Sequence, residues 1–224
     1  MRPWLIIDSY TSGDGAANFI PHFGHQPVTV ATARRALPLS PRAFRGVLIT
    51  GSAAGVNDGL PWVHGVVQFT RRCLEQRVPV LGVCFGHQAL AEAVIGPGAV
   101  RRTPRPEVGW YRIAIQRPSP ILDGLPAHFR TFLSHFDEVR PEARAHLDVV
   151  ASSDRCPIQA FSVPGRPAWG VQFHAEMHAP ETTRIVHRYV GHRLPGDPAR
   201  TLRQATDSTA FIQRLVRNFQ GLAG

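Results

Sequence analysis

The chain has 224 residues, 43% apolar and 18% charged, enough for one α/β domain with a real core and too apolar for a disordered or disulfide-stapled mini-protein. No apolar run is long enough to cross a bilayer, and MRPWLIIDSY reaches Asp8 without a leader-type apolar stretch, so a cytoplasmic protein with no membrane partner is expected. The formal charge of +9 comes from 25 arginines and no lysine, spread as singles and pairs such as Arg34–Arg35, Arg71–Arg72 and Arg101–Arg102, which argues against a nucleic-acid partner because phosphate binding needs a clustered face.

Short apolar runs then alternate with segments of helical period, the pattern of βαβ units about a largely parallel sheet. Strands are expected at 4–8 (WLIID), 27–31, 44–50 (FRGVLIT) and 78–83 (VPVLGV). A helix is expected at 62–77, where Trp62, Val66, Phe69 and Cys73 or Leu74 recur on one face behind Pro61 at the first position. A second follows Cys84, running QALAEAVI to Gly96. From about 109 the texture changes to consecutive strand-like pieces, WYRIAI, FRTFLS, LDVVASS, PIQAFSV and AWGVQFH, which suggest an added antiparallel portion. Helical periodicity returns over about 180–220. One stripe holds Ile185, Val186, Tyr189 and Val190, and another holds Phe211, Ile212, Leu215, Val216 and Phe219, with LPGDPAR between them read as a loop. There is no internal repeat and no long linker. The expected architecture is one α/β domain over 1–224: a doubly wound, mostly parallel, flavodoxin-like three-layer fold with a small antiparallel addition.

Cys73, Cys84 and Cys156 are odd in number and lack CxxC spacing, so a disulfide framework is not expected and any sulfur chemistry belongs to a free thiol. Only Cys84 has a reactive setting. It stands where a buried strand meets a helix, flanked by Gly82 and Gly86, as in a nucleophile elbow. There the helix dipole favours thiolate, and the unpaired amides of the first turn can receive an oxyanion. Taken alone, the pattern also fits a small buried apolar side chain. Cys73, on a helical stripe, and Cys156, beside Pro157, read as structural.

A thiolate nucleophile needs a base, and the base an orienting group. AWGVQFHAE supplies both: if 169–176 is extended, Gln172, His174 and Glu176 share one face, so the carboxylate can hold one imidazole nitrogen while the other turns to Cys84. A metal reading rests on the spacings His174–His178 and Cys84–His87. The first is not HExxH and no cysteine pair accompanies it, so neither a metal nor another cofactor is expected.

GVCFGHQ followed about ninety residues later by GVQFHAE resembles the class I glutamine amidotransferases, the Cys-His-Glu glutaminases. The resemblance extends along most of the chain: WLIIDSY is similar to that family's first strand, LITGSAAGVND to its oxyanion loop, FLSHFDEV to a glutamine-binding segment, and CPIQAF to the strand before the histidine motif. EVGW at 107–110 and SHFD at 134–137 are most similar to the GMP synthetase type of glutaminase domain. The resemblance implies Cys84 as nucleophile, His174 as base and acid, and Glu176 as its orienter. It implies the amides of Ser52 and Phe85 as the oxyanion hole. Gly51, Gln88, Ser134, His135 and Phe136 then hold substrate, the last three largely through backbone. Two positions depart from the family pattern: Gly51, Ser52, Ala53 and Ala54 lack the usual loop proline, and Ala175 replaces the proline after the histidine.

The implied reaction is hydrolysis of the glutamine side-chain amide through a γ-glutamyl thioester, with ammonia passed to a partner synthetase. No phosphate-binding GxxxxGK[ST] loop is available without lysine, and TSGDG at 11–15 is only a short turn-like match to a pyrophosphatase loop. Two other readings stay open: a self-contained hydrolase or peptidase of another γ-glutamyl amide, and a non-catalytic binding homologue.

Overall fold

A computed structural model describes residues 2–10 and 13–223; Thr11 and Ser12 of TSGDG lie outside them. Among the described residues the strands are β1 (Trp4–Asp8), β2 (Val28–Thr32), β3 (Val47–Ile49), β4 (Val80–Val83), β5 (Val100–Ile115), β6 (His128–Val139), β7 (Asp148–Ser152), β8 (Ala160–Ser162) and β9 (Ala168–Val171). The helices are α1 (Pro61–Glu75), α2 (Phe85–Ile95), α3 (Ala179–Tyr189), α4 (Pro198–Leu202) and α5 (Thr209–Leu222). One sheet runs β2-β1-β3-β4-β9-β8-β7-β5-β6. Its first five strands are parallel, and the other four continue it antiparallel. The parallel part is the expected doubly wound arrangement, with the winding reversing between β1 and β3.

WLIID, VLI, VLGV and AWGV are buried at every position, as parallel strands covered on both faces must be. Leu5 and Ile7 pack with Val63, Val66, Phe69 and Cys73 of α1 and with Leu90 of α2. Trp4 and Ile6 face the opposite layer, against Ile212, Leu215, Val216 and Phe219 of α5. The Phe219 ring centroid lies 5.2 Å from that of Trp4 and 6.4 Å from that of Trp169. Full burial of such a ring contributes about 2–3 kcal/mol, which holds α5 to the sheet. A third cluster, Val108, Trp110, Phe132, Val186 and Val190, seats α3 on β5 and β6.

Three elements differ from the expectations. β5 begins at Val100 rather than near 109, and its ladder with β6 shifts register between Arg102 and Glu107. Pro104 and Pro106 fall in that gap and have no N–H to donate, so the ladder bulges there. LPGDPAR is not all loop: Asp197 caps α4 by accepting from the Ala199 N–H at 2.9 Å, with Pro198 at the first position. AWGVQFH does not run extended to Glu176. β9 ends at Val171, opposite Val83; beyond that residue β4 turns into α2 and no parallel partner remains. The chain crosses to β6, where the His174 N–H donates to the Phe132 carbonyl at 2.8 Å.

Candidate active site

The carboxyl ends of the parallel strands open on a cavity of about 620 Å³, where open α/β sheets bind their ligands. At its floor Cys84 has φ 51° and ψ −101°, a region that residues with a side chain rarely occupy. Its N–H donates to the Val171 carbonyl at 2.8 Å. The flanking glycines are required by close backbone approach: a Cβ on Gly82 would lie 2.3 Å from the Gly86 carbonyl oxygen, and one on Gly86 2.3 Å from that of Ile49. Strand, cysteine and helix are thereby locked against β3, with the thiol at the positive end of α2. The Phe85 and Ser52 N–H groups donate to no described group.

His174 and Glu176 are both buried, with Nδ1 and Oε1 2.7 Å apart. Burial by itself would lower the imidazole pKa, but the Glu176 carboxylate bonded to Nδ1, and then the negative charge of a Cys84 thiolate, hold it well above its ordinary value. The His174 carbonyl accepts from Thr131 Oγ1 at 2.9 Å, and its N–H is anchored on β6. The three side chains anticipated from GVCFGHQ and GVQFHAE therefore meet. They do so through a crossing between β9 and β6, not through alternation along one strand.

On one side of Cys84, Thr50 Oγ1 accepts from the Ser9 N–H at 2.9 Å and donates to the Gly51 carbonyl at 3.0 Å, and Ser52 Oγ accepts from the Ala54 N–H at 3.0 Å. These bonds shape the loop that has no proline. A Cβ on Gly51 would lie 2.7 Å from Tyr10 Oη and 2.9 Å from His174 Cε1, so any other residue would push the Tyr10 hydroxyl or the His174 ring aside. On the other side the Ser134 carbonyl lies 3.9 Å from Cys84 Sγ. Gln88 Nε2 donates to the Asp137 carbonyl and to Gln172 Oε1, each at 3.0 Å. Phe136 lines the cavity between Tyr189 and Arg102, with centroid distances of 5.1 Å and 4.9 Å. The His135 ring turns away from Cys84, toward Glu107. Asp137 pairs with Arg102 at 3.5 Å; burial raises its pKa while Arg102 opposes the shift.

A family model described as Glutamine amidotransferase class-I matches residues 7–208. The chain belongs to that family. The glutamine-hydrolyzing GMP synthase of Leifsonia xyli is 33% identical over 159 residues, 69% of this chain and 30% of that protein. A glutamine-hydrolyzing GMP synthase subunit of Pyrococcus abyssi is 40% identical over 103 residues, 46% of this chain and 53% of that one. The chain thus matches only about a third to a half of the length of these curated relatives. A crystal structure of a glutamine amido transferase from Methylobacillus flagellatus superposes with a TM-score of 0.77 at 26% identity, covering all of this chain and 94% of that one.

In this class I amidotransferase the cavity has walls that motif reading did not find. Tyr10 follows the central strand β1 at the winding reversal, a position that could have flagged it. Asp8 shapes its loop, accepting from the Tyr10 and Ala16 N–H groups at 3.0 and 3.1 Å. Burial, then Glu176 and Cys84, keep the Tyr10 phenol well above its ordinary pKa, so the hydroxyl remains a donor. The far wall is one face of α3, with Glu181, Arg184, Ile185, Arg188 and Tyr189, preceded by Met177; its helical spacing was legible, its partner was not.

The spacings considered as metal ligands have other uses. His178 is the N-cap of α3 rather than a helical neighbour of His174. Burial pushes the Cys73 and Cys156 thiols up to about 12, so neither ionises near neutrality. His87 is fully buried with its ring 4.7 Å from that of Phe161, and burial pushes its pKa down to about 3. The folded imidazole stays neutral while the unfolded one gains a proton near its ordinary value of about 6.5. Stability should therefore be lost as pH is lowered from the second of those values toward the first, by on the order of 1 kcal/mol per pH unit. His87→Met is expected to flatten that slope in urea titrations; identical slopes for the two proteins would refute this account of His87.

Proposed function

We propose that this chain hydrolyses the side-chain amide of glutamine to glutamate and ammonia, through a γ-glutamyl thioester on Cys84. The observation that carries the reading is the convergence on one cavity of a strained cysteine, a buried histidine–glutamate pair and two backbone amides that donate to no described group. The Cys84 thiol passes its proton to His174 as the sulfur attacks the amide carbon, and the oxyanion takes the Phe85 and Ser52 N–H groups. His174 gives its proton to the leaving ammonia, and the thioester forms as the C–N bond breaks. His174 next takes a proton from water as that water attacks the thioester, returning the thiol and releasing glutamate. Glu176 holds the ring in line and favours its charged form. Gly51 keeps the oxyanion loop close to His174, Gln88 braces the far side, and the backbone of Ser134, His135 and Phe136 receives the amino-acid end of the substrate.

The relatives that are named as subunits of GMP synthase support a second part of the proposal: the ammonia is consumed by a partner synthetase chain docking over the 51–58 loop and the 134–137 segment. A second reading, hydrolysis of a larger γ-glutamyl amide, is favoured by one observation. The cavity extends from Cys84 along α3 to Tyr189 and is far roomier than a single amino acid requires, within the roughly 300–1,000 Å³ of drug-sized ligand sites. Steady-state release of glutamate and ammonia from glutamine and from a panel of γ-glutamyl amides separates the two. Glutamine hydrolysis that rises on adding a synthetase from the same host is the expected result. Fast turnover of one larger amide with little glutamine hydrolysis would replace the first reading with the second, and no turnover of any amide would leave only a binding homologue.

A further inference from the structure

EVGW and SHFD lie side by side in the fold: Glu107 and His135 are cross-strand partners in the β5–β6 ladder, just past the bulge. Glu107 is completely buried, and its carboxylate accepts from three side chains. His135 Nε2 and Gln159 Nε2 each lie 2.8 Å from Oε2, and Ser153 Oγ lies 2.7 Å from Oε1. The other ring nitrogen of His135, Nδ1, lies 2.9 Å from the Asp137 carbonyl. Both ring nitrogens thus lie within hydrogen-bond distance of oxygen atoms. Cys156 completes a group whose O, N and S atoms fall within 4.8 Å of one another. Its thiol is directed to the Ile158 carbonyl at 3.6 Å, and the carboxylate and imidazole are already bonded to each other, so this is a hydrogen-bonded network.

Burying polar groups costs desolvation that their mutual hydrogen bonds largely offset, so stability alone is a weak reason for such a network. Its geometric consequence is larger. The Asp137 carbonyl that His135 holds is also the one that Gln88 holds, and Gln88 reaches on to Gln172. Three residues earlier, the Ser134 carbonyl borders Cys84 Sγ. The backbone between is the proposed seat of the substrate's amino-acid end, and His135 on Glu107 ties it to the buried side of β5.

We propose that Glu107 is a positioning residue: acting through His135, its carboxylate sets the 134–137 backbone at the distance from Cys84 that glutamine recognition needs. This role rests on the glutaminase reading above.

The test labels Cys84 of the full chain in two ways, followed by mass spectrometry. One reagent is 6-diazo-5-oxo-L-norleucine, a glutamine-shaped electrophile that must be recognised; the other is iodoacetamide, which needs only the thiol. Glu107→Ala is expected to raise the half-saturating concentration of the first by about tenfold or more and to leave the second rate within about twofold. Glu107→Gln is expected to recover to within about threefold of wild type. The isosteric amide can donate to a neutral His135 whose Nδ1–H still holds Asp137, and Gln159 can turn its unpartnered Oε1 to accept. His135→Asn, which can keep the Asp137 bond but loses Glu107, gives the same direction if the alanine variant does not fold. Unchanged half-saturation in both disrupting variants overturns the positioning role, as does parallel loss of both labelling rates and of the melting transition without rescue by glutamine. Wild-type protein that takes iodoacetamide but shows no saturable labelling by the analogue overturns the glutaminase reading itself and this role with it.

Discussion

Cys84→Ala is expected to lower glutamine turnover by about 10⁴-fold or more, the scale seen when a covalent nucleophile is removed. The substitution keeps the Cβ, so the unusual backbone at φ 51° and the contacts of Gly82 and Gly86 with their neighbours are unchanged. Only the sulfur goes. Without it no thioester forms, and the two amides and His174 can at most assist direct attack by water. The melting temperature should stay within a few degrees, since a single small buried group is lost. The measurement is ammonia release paired with a thermal melt. Residual activity above about a hundredth of wild type in a folded alanine variant would show that Cys84 is not the attacking group.

Glu176→Gln comes next, with an expected loss of about 10²-fold or more in kcat. Glutamine is isosteric and its amide oxygen can still accept from His174 Nδ1, so the 2.7 Å contact is kept and the charge removed. Burial then acts with less opposition and the imidazole pKa falls. Two pH measurements follow. The alkaline limb of kcat/KM, where His174 loses its proton, should move to lower pH in the variant. The stability that wild-type His174 contributes is fully present below its unfolded pKa of about 6.5 and is lost as pH rises through the higher folded value. Wild type should therefore weaken toward alkaline pH in urea titrations, and the variant should weaken less. An alkaline limb at the same pH in both proteins would mean that the carboxylate does not hold the proton on His174.

Much of this was legible along the chain because it is written in local physics. WLIID, VLI and VLGV are continuous apolar runs, which is what strands covered on both faces must be. GVCFGHQ carries part of its own geometry, since a side chain on Gly82 would meet the Gly86 carbonyl oxygen four residues on. The stripe of α5 follows from a helical period of 3.6 residues and one apolar neighbour.

Tertiary structure decided how the pieces meet. His174 and Glu176 were expected to share a strand face, yet they are positioned where β9 runs out of partners and the chain crosses to Phe132. Tyr10 and the α3 face have no motif; they border Cys84 only because the sheet brings the ends of distant segments to one cavity. Glu107 and His135 stand in two separate short segments, and nothing in either predicts a buried pair 2.8 Å apart. The sequence by itself determined the strand and helix periods, the strained turn at Cys84 and the types of residue available for chemistry, because propensity, sterics and ionisation act over a few neighbouring residues. Strand order, the crossing to β6, the Cys84 sulfur brought to His174 and the burial that keeps His87 neutral depend on contacts between residues far apart in the chain, and only the folded sheet supplies those.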